Sequence, residues 1–237
     1  MTNATTPSHP PPPARSVSSD DWLDLVDQVL LGLDHALNNR LGALRAFAEL
    51  LRDEHWRTTS AATDSVQKEL ARLEETTSVV RLLARPGQPT KSGLILEEVM
   101  TDVVRIQSML YDVRDVTVDF VPGPPLEPVW SERAALIRLL SVTLYGLRRS
   151  ARERGGIGAG GSATGDVVRV SMESDEQWAR IRFASSKPIS ESAISAYAAS
   201  VASSVGAEWR FGGGQLELRL PTLKAHRAPP GATRDAR

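Results

Sequence analysis

The chain has 237 residues, 41% of them apolar, and its 28 Lys and Arg against 29 Asp and Glu give a formal net charge of −1. This length and apolar content suit one large folded unit or two small ones. The balanced charge excludes a long-range attraction to nucleic acid, and the absence of cysteine excludes disulfides and cysteine-rich metal sites. The four histidines lack the close spacing of zinc ligands, so we expect no metal or other cofactor bound by the chain itself.

The start of the chain, MTNATTPSHPPPPARS, has no apolar core of the kind that a signal peptide needs. No later stretch approaches the roughly 20 apolar residues that span a bilayer. The sequence therefore predicts a cytoplasmic protein with neither membrane nor nucleic acid as a partner. Residues 1–17 and 223–237 are predicted to be disordered tails, because they contain too few apolar residues to offset the cost of ordering.

Residues 18–86 are predicted to form a hairpin of two helices. Ser18 or Ser19 can cap the first helix, and the second runs over about 61–84 and ends before Pro86. Apolar residues recur every seven positions in both helices. In the first helix the seam consists of Leu23, Leu30, Leu37, Leu44 and Leu51, with Val26, Leu33 and Phe47 in the second position.

A lone hairpin of this length leaves much of its apolar stripe uncovered. Two copies that pack as a four-helix bundle would cover it, so we expect a homodimer.

Residues 92–222 alternate helices and strands in a different pattern. Helices are predicted over 94–110, 132–151 and from Ile194 onward, and a strand over 116–121. The stretches DVVRVSM and WARIRFA alternate with period two and predict paired strands, and AEWRFGGGQLELRLP predicts a closing hairpin. The predicted fold class is α+β, with helices on one face of a mainly antiparallel sheet.

His35 lies within the apolar helical stretch LLGLDHALNNRLGALRAFAELL. On the heptad register it falls about 140° around the helix from Leu30, opposite the seam. A buried core histidine, an inert surface histidine and a functional imidazole are the three interpretations. The register speaks against the first of them.

The surroundings of His35 favour a functional role. Two glycines, Gly32 and Gly42, lie within this helix, where each costs roughly 1 kcal/mol relative to alanine. Small residues around an exposed imidazole would let a partner protein approach the ring. The predicted docking surface consists of Leu31, Gly32, Asn38, Gly42, Arg45 and Ala46.

The stretch DHALNNRLGALRAFAELL resembles the phosphoacceptor box of dimeric two-component histidine kinases. The resemblance implies that His35 accepts a phosphoryl group and that Asn39 supports its transfer. These kinases carry an acidic residue directly after the histidine, where this chain has Ala36. That difference predicts that the protein does not phosphorylate itself with ATP.

The second half resembles the ATP-binding domain of the same kinases, a GHKL-like α/β sandwich, in degenerate form. VWSERAALIRLLSVTLYGLRRSA is similar to the helix that carries two metal- and nucleotide-binding asparagines, but the matching positions are Val142 and Gly146. FASSKPISESA stands where the adenine-binding Asp-x-Gly-x-Gly motif should be. The resemblance therefore implies a retained fold without ATP chemistry.

Taken together, the two halves resemble the dimeric pseudokinase phosphotransferases of bacterial phosphorelays. The implied function is a histidine phosphotransferase that passes phosphoryl groups between response-regulator receiver domains through His35, with Mg²⁺ supplied by the receiver. Two alternatives stay open, namely an active histidine kinase with divergent nucleotide motifs and a non-enzymatic signalling adaptor.

Two further patterns are interpreted as structural. GIGAGG satisfies Gly-x-Gly-x-x-Gly, but it lacks the preceding strand and following helix of a dinucleotide site, so we interpret it as a connector. The four arginines just before it are interpreted as a solvated helix end, where cations are favoured; they are Arg148, Arg149, Arg152 and Arg154.

Overall fold

A computed structural model describes residues 20–50, 52, 60–83, 90–155, 166–185, 188–189 and 194–227. The first helix, α1, covers Asp20–Leu50, and the second, α2, covers Ser60–Leu83. Asp20 and Asp21 lie in the first turn of α1, where carboxylates are favourable near the positive end of the helix dipole. The two helices contact each other, as expected of a hairpin.

The remaining elements alternate strands and helices, and the fold class is α+β as predicted. In chain order they are β1 (Lys91–Leu94), α3 (Leu96–Ser108), β2 (Thr117–Phe120), β3 (Val129–Glu132), α4 (Arg133–Gly155), β4 (Val167–Ser174), β5 (Trp178–Ser185), α5 (Ala196–Val205), β6 (Glu208–Gly212), β7 (Gln215–Pro221) and α6 (Leu223–Arg227).

Five strands form one sheet in the order β2-β4-β5-β7-β6. The pair β2 and β4 is parallel and the other three pairs are antiparallel, so the mainly antiparallel sheet is confirmed. Strands β1 and β3 form a separate antiparallel pair that the sequence did not predict. Each has four residues, too few for a period-two pattern to stand out.

One face of the five-stranded sheet is buried. Alternate residues of the central strands point to this face, as the period of two requires. They include Val168, Val170, Ile181, Phe183, Leu216 and Leu218, all at most 2% exposed. Buried side chains of α3 and α4 join the same core, which therefore positions both helices beside the sheet.

Helix α1 packs against α4 as well as α2. Its buried side chains, Leu25, Val29 and Leu33, recur every four residues. Leu23 and Leu30 of the predicted seam are 52% and 50% exposed. The stripe buried within one chain thus shares Leu33 with the predicted seam but otherwise differs from it, because the second half of the chain covers part of α1.

The C-terminal tail starts later than predicted. Residues Leu223–Arg227 form α6, in which the His226 ring stacks on Trp130 at 4.8 Å between centroids, and this contact orders the segment. The predicted tail over 1–17, the GIGAGG connector and the rest of the C-terminal tail lie outside the described residues. None of the helices in the described ranges is long and apolar enough to cross a membrane.

The opposite face of the sheet carries charged side chains, which alternate along β5 and β7 with the buried apolar ones. Glu217 lies between two arginines, 2.9 Å from Arg182 Nε and 2.5 Å from Arg219 Nε. Burial raises the pKa of Glu217, but hydrogen bonds from Arg219 and Arg182 outweigh burial, so the pKa lies below its ordinary value of 4.5.

Because folding lowers the pKa of Glu217, its contribution to stability is present above the unfolded pKa and is lost as the pH falls through the folded pKa. We expect Glu217→Gln to lower the free energy of unfolding at pH 7 by about 1 kcal/mol, a modest figure for a partly exposed cluster. The variant should also show a shallower loss of stability below pH 4.5. Urea unfolding of the wild type and the variant at pH 7 and at about pH 3 measures this difference. If both proteins lost the same free energy of unfolding between the two pH values, the role given to Glu217 would be wrong.

Candidate functional site

His35 lies in the middle of α1 with its imidazole exposed, as predicted. Asn39 follows one helical turn later, and its Nδ2 lies 3.2 Å from His35 Nε2. An amide nitrogen only donates, so Nε2 accepts with its lone pair and the ring proton is on Nδ1. With this hydrogen bond, Asn39 favours the tautomer in which Nε2 carries the lone pair.

The imidazole also contacts the second half of the chain. The rings of His35 and Tyr111 meet edge-on, with centroids 5.8 Å apart and planes at 62°. The guanidinium carbon of Arg114 lies 4.3 Å from the centroid of the Tyr111 ring. Tyr111 and Arg114 belong to residues 109–116, the segment that joins α3 to β2. The site is thus built from two distant parts of the sequence.

One buried arginine of α4 holds this connecting segment. Arg148 is 5% exposed, and it donates to the main-chain oxygens of Val116, Val113 and Gln107 at 2.9, 2.7 and 2.8 Å. Burial lowers the pKa of Arg148, but a guanidinium stays charged in proteins. The planar guanidinium group, with its N–H donors in fixed directions, thereby fixes the main-chain conformation of the connecting segment.

Two further side chains of α4 bind the same segment at Asp112. Tyr145 Oη donates to Asp112 Oδ2 at 2.9 Å, and Arg152 donates to the Asp112 main-chain oxygen. Burial, together with the hydrogen bond to Asp112, raises the pKa of Tyr145 to about 12. The phenol therefore remains a donor at neutral pH, and the segment that carries Tyr111 is fixed on α4.

Five of the six residues predicted to bind a partner are exposed, namely Leu31, Asn38, Gly42, Arg45 and Ala46. Gly32 is different, because a Cβ there would lie only 1.7 Å from the main-chain oxygen of Met109. Gly32 is half-exposed, and its lack of a Cβ lets Met109, the first residue of the connecting segment, approach α1. At 100° per residue, the other five residues lie on the same side of α1 as His35.

The two glycines of α1 give a matched test of this contact. A Cβ at Gly42 meets nothing within 4 Å, so Gly42→Ala should raise the free energy of unfolding by up to about 1 kcal/mol through helix propensity. Gly32→Ala should lower it by about 1–3 kcal/mol, because the main chain at Met109 must move away. Urea unfolding measures both, and stabilisation by both substitutions would show that Met109 does not contact Gly32.

A cavity of about 360 Å³ lies between the start of α1, α4 and Ser195, the N-cap of α5. Val142 and Gly146, which stand at the asparagine positions of the resemblance, line its wall without an amide group. The charged lining residues are Asp21, Asp24, Glu153 and Arg149. Arg149 pairs with Glu153 at 3.1 Å, and with three carboxylates against one guanidinium the lining has a net negative charge, which is unfavourable for a polyphosphate.

Sequence analysis missed the contribution of the second half to the site. Tyr111 and Arg114 lie in a short segment without a periodic pattern. Arg148 was interpreted as part of a solvated helix end, but it is buried. A signal did exist, since Arg148 follows Leu144 by four residues and precedes Ala151 by three, on the buried face of α4.

No protein-family model matches the chain, and no curated protein matches it. The solved structures that are similar to it include three chains of histidine kinases. The histidine kinase AdeS of Acinetobacter baumannii is 13% identical over 79% of this chain and 96% of that chain, with a TM-score of 0.38. The ATP-binding domain of PrrB from Mycobacterium tuberculosis is 16% identical over 56% and 97%, with a TM-score of 0.41.

The third is the histidine kinase ThkA in complex with the response regulator TrrA, which is 12% identical over 88% of this chain and 65% of that chain, with a TM-score of 0.39. The chain is therefore similar in outline to histidine kinases.

Proposed function

We propose that this protein relays phosphoryl groups between receiver domains through His35. The observation that carries the proposal is the exposed imidazole whose Nε2 accepts a hydrogen bond from Asn39. It lies on a helix surface where Asn38, Gly42 and Ala46 leave room for another protein. An imidazole held unprotonated at Nε2 and open to solvent is a nucleophile for a partner's phosphoryl group.

In the forward step, the Nε2 lone pair attacks the phosphorus of an aspartyl phosphate on the receiver. The P–N bond forms while the P–O bond to aspartate breaks, and the aspartate leaves as a carboxylate. The Asn39 amide turns away from Nε2 and can then donate to a phosphoryl oxygen. Attack by a second receiver's aspartate reverses the step and passes the group on.

Phosphoryl transfer needs in-line positioning and neutralisation of charge. In the described part of the chain, no group of three His, Asp or Glu side chains is arranged to hold a metal ion. In the proposed relay, the receiver supplies the Mg²⁺ that neutralises this charge. In this proposal the chain provides the His35 nucleophile, the Asn39 hydrogen bond that favours its reactive tautomer, and the docking surface on α1.

An active histidine kinase is the first alternative, and the cavity beside α4 bears on it. The net negative charge of its lining and the lack of an amide at Val142 and Gly146 argue against ATP binding. The exposed Leu23, Leu30 and Leu41 on α1 support a homodimer in either case, because a second copy would cover them.

The test uses a receiver labelled with ³²P on its aspartate, in Mg²⁺ buffer, mixed with the full chain. We expect label to move to this protein in an acid-labile, base-stable form, and to move on to an unlabelled second receiver. Incubation with labelled ATP should give no label, and calorimetry with Mg-ATP should show no binding. Labelling of the protein by ATP would reject the relay and show that the protein is an active kinase.

A non-enzymatic adaptor is the second alternative. It predicts that the full chain binds a receiver but takes up no label, and that loss of the His35 imidazole leaves signalling in cells unchanged. Either result would overturn the proposed transfer.

A further inference from the structure

We propose that Tyr111 is a positioning residue for His35, so that the second half of the chain completes the phosphoacceptor site. This inference rests on the proposed relay, but its central contact is measurable without phosphoryl transfer. Tyr111 does not react in this scheme. It sets the orientation in which the imidazole meets a receiver.

An exposed histidine ring needs an external constraint to keep one orientation. Its second side-chain torsion has broad minima, so a helix alone does not fix the ring plane. Asn39 holds one edge through Nε2 at 3.2 Å, and Tyr111 meets the ring edge-on at 5.8 Å between centroids. Both contacts together define the direction of the Nε2 lone pair.

Tyr111 has a second contact within its own segment. The Arg114 guanidinium lies over the Tyr111 ring at 4.3 Å, a distance typical of a cation–π contact. The segment is fixed through its main chain by Arg148 and through the Asp112 carboxylate by Tyr145. A ring carried on such a segment is a rigid constraint on His35.

Packing alone does not account for Tyr111. Tyr111 is 48% exposed and does not belong to the buried hydrophobic core. The contacts that fold the segment are made by Val113, Val116 and the main chain, and they do not need an aromatic ring at position 111. The ring is placed where its contact is with the imidazole and with Arg114.

The experiment compares Tyr111→Ala and Tyr111→Phe in the full chain. Because orientation contributes strongly to transfer, Tyr111→Ala should slow labelling of His35 at saturating receiver by about tenfold. Tyr111→Phe keeps the ring and should stay within about twofold of the wild type. Phe211→Ala, which removes another exposed aromatic ring on β6, is the matched control and should change nothing.

A second readout follows the imidazole directly. With four histidines in the chain, the His35 ring signals can be assigned by their loss in a His35→Ala protein. In the NMR spectrum, Tyr111→Ala should shift the His35 ring protons and alter the balance of its nitrogen tautomers, and Tyr111→Phe should preserve both.

Several results would overturn the inference. One is a Tyr111→Ala protein with wild-type labelling and unchanged His35 signals. Another is a Tyr111→Ala protein in which only the receiver concentration for half-maximal rate increases, since Tyr111 would then be a docking residue. If the wild type takes up no label, the proposed relay fails, and the NMR comparison alone decides whether Tyr111 positions the imidazole.

Discussion

With His35 replaced by glutamine, the protein is expected to take up no phosphoryl label from a phosphorylated receiver. Glutamine keeps a polar side chain of similar size but has no nucleophilic nitrogen, so labelling should fall to background, by more than about a hundredfold. Because His35 is exposed, the free energy of unfolding should change by no more than about 0.5 kcal/mol. The measurement is gel autoradiography at fixed receiver concentration, beside urea unfolding.

Asn39→Ala is a second variant, for which we expect a partial loss of labelling and not a complete one. It retains the nucleophile but removes the donor to Nε2, so both ring tautomers become populated. We expect labelling to continue at a reduced rate, about tenfold lower, because productive orientation is lost in part. Label on a His35→Gln protein at the wild-type rate would place the acceptor at another residue and would reject His35.

Replacing Arg148 with methionine is expected to lower the free energy of unfolding by about 3–5 kcal/mol. Methionine fills part of the volume, but the main-chain oxygens of Val116, Val113 and Gln107 lose a charged donor in a buried place. Each buried acceptor without a partner costs about 1–3 kcal/mol. Urea unfolding followed by circular dichroism measures the loss.

The neighbouring residue gives the control. Arg149 is 59% exposed and pairs with Glu153 one turn away, so Arg149→Met should cost no more than about 0.5 kcal/mol. Arg148→Lys keeps the charge but not the planar fork of donors, and it should lie between the two. Equal stability of the two methionine variants would contradict the role given to Arg148.

The Arg148 variants also link stability to the site. If the connecting segment loosens, Tyr111 no longer has a fixed place beside His35. We therefore expect the His35 ring signals of Arg148→Lys to shift in the same direction as those of Tyr111→Ala, in a protein that still folds.

The helices and most strands could be predicted from the sequence because local periodicity reflects which face of an element is buried. The alternation in DVVRVSM and WARIRFA gave β4 and β5, and the heptad-like spacing gave α1 and α2. His35 and Asn39 could be paired for the same reason, since residues four apart meet on any helix. Strands of four residues, such as β1 and β3, carry too little pattern to be recognised.

The sequence by itself determined an exposed imidazole on a helix, an asparagine within its reach and an α+β second half with no amide at Val142 or Gly146. Only the tertiary structure decided that Met109 approaches Gly32, that Arg148 is buried and that Tyr111 contacts His35. The features determined by the sequence follow from contacts within one helix or strand, and such contacts repeat with the period of that element. The features decided by the tertiary structure depend on contacts between residues more than 30 positions apart, whose geometry is set by how the helices pack.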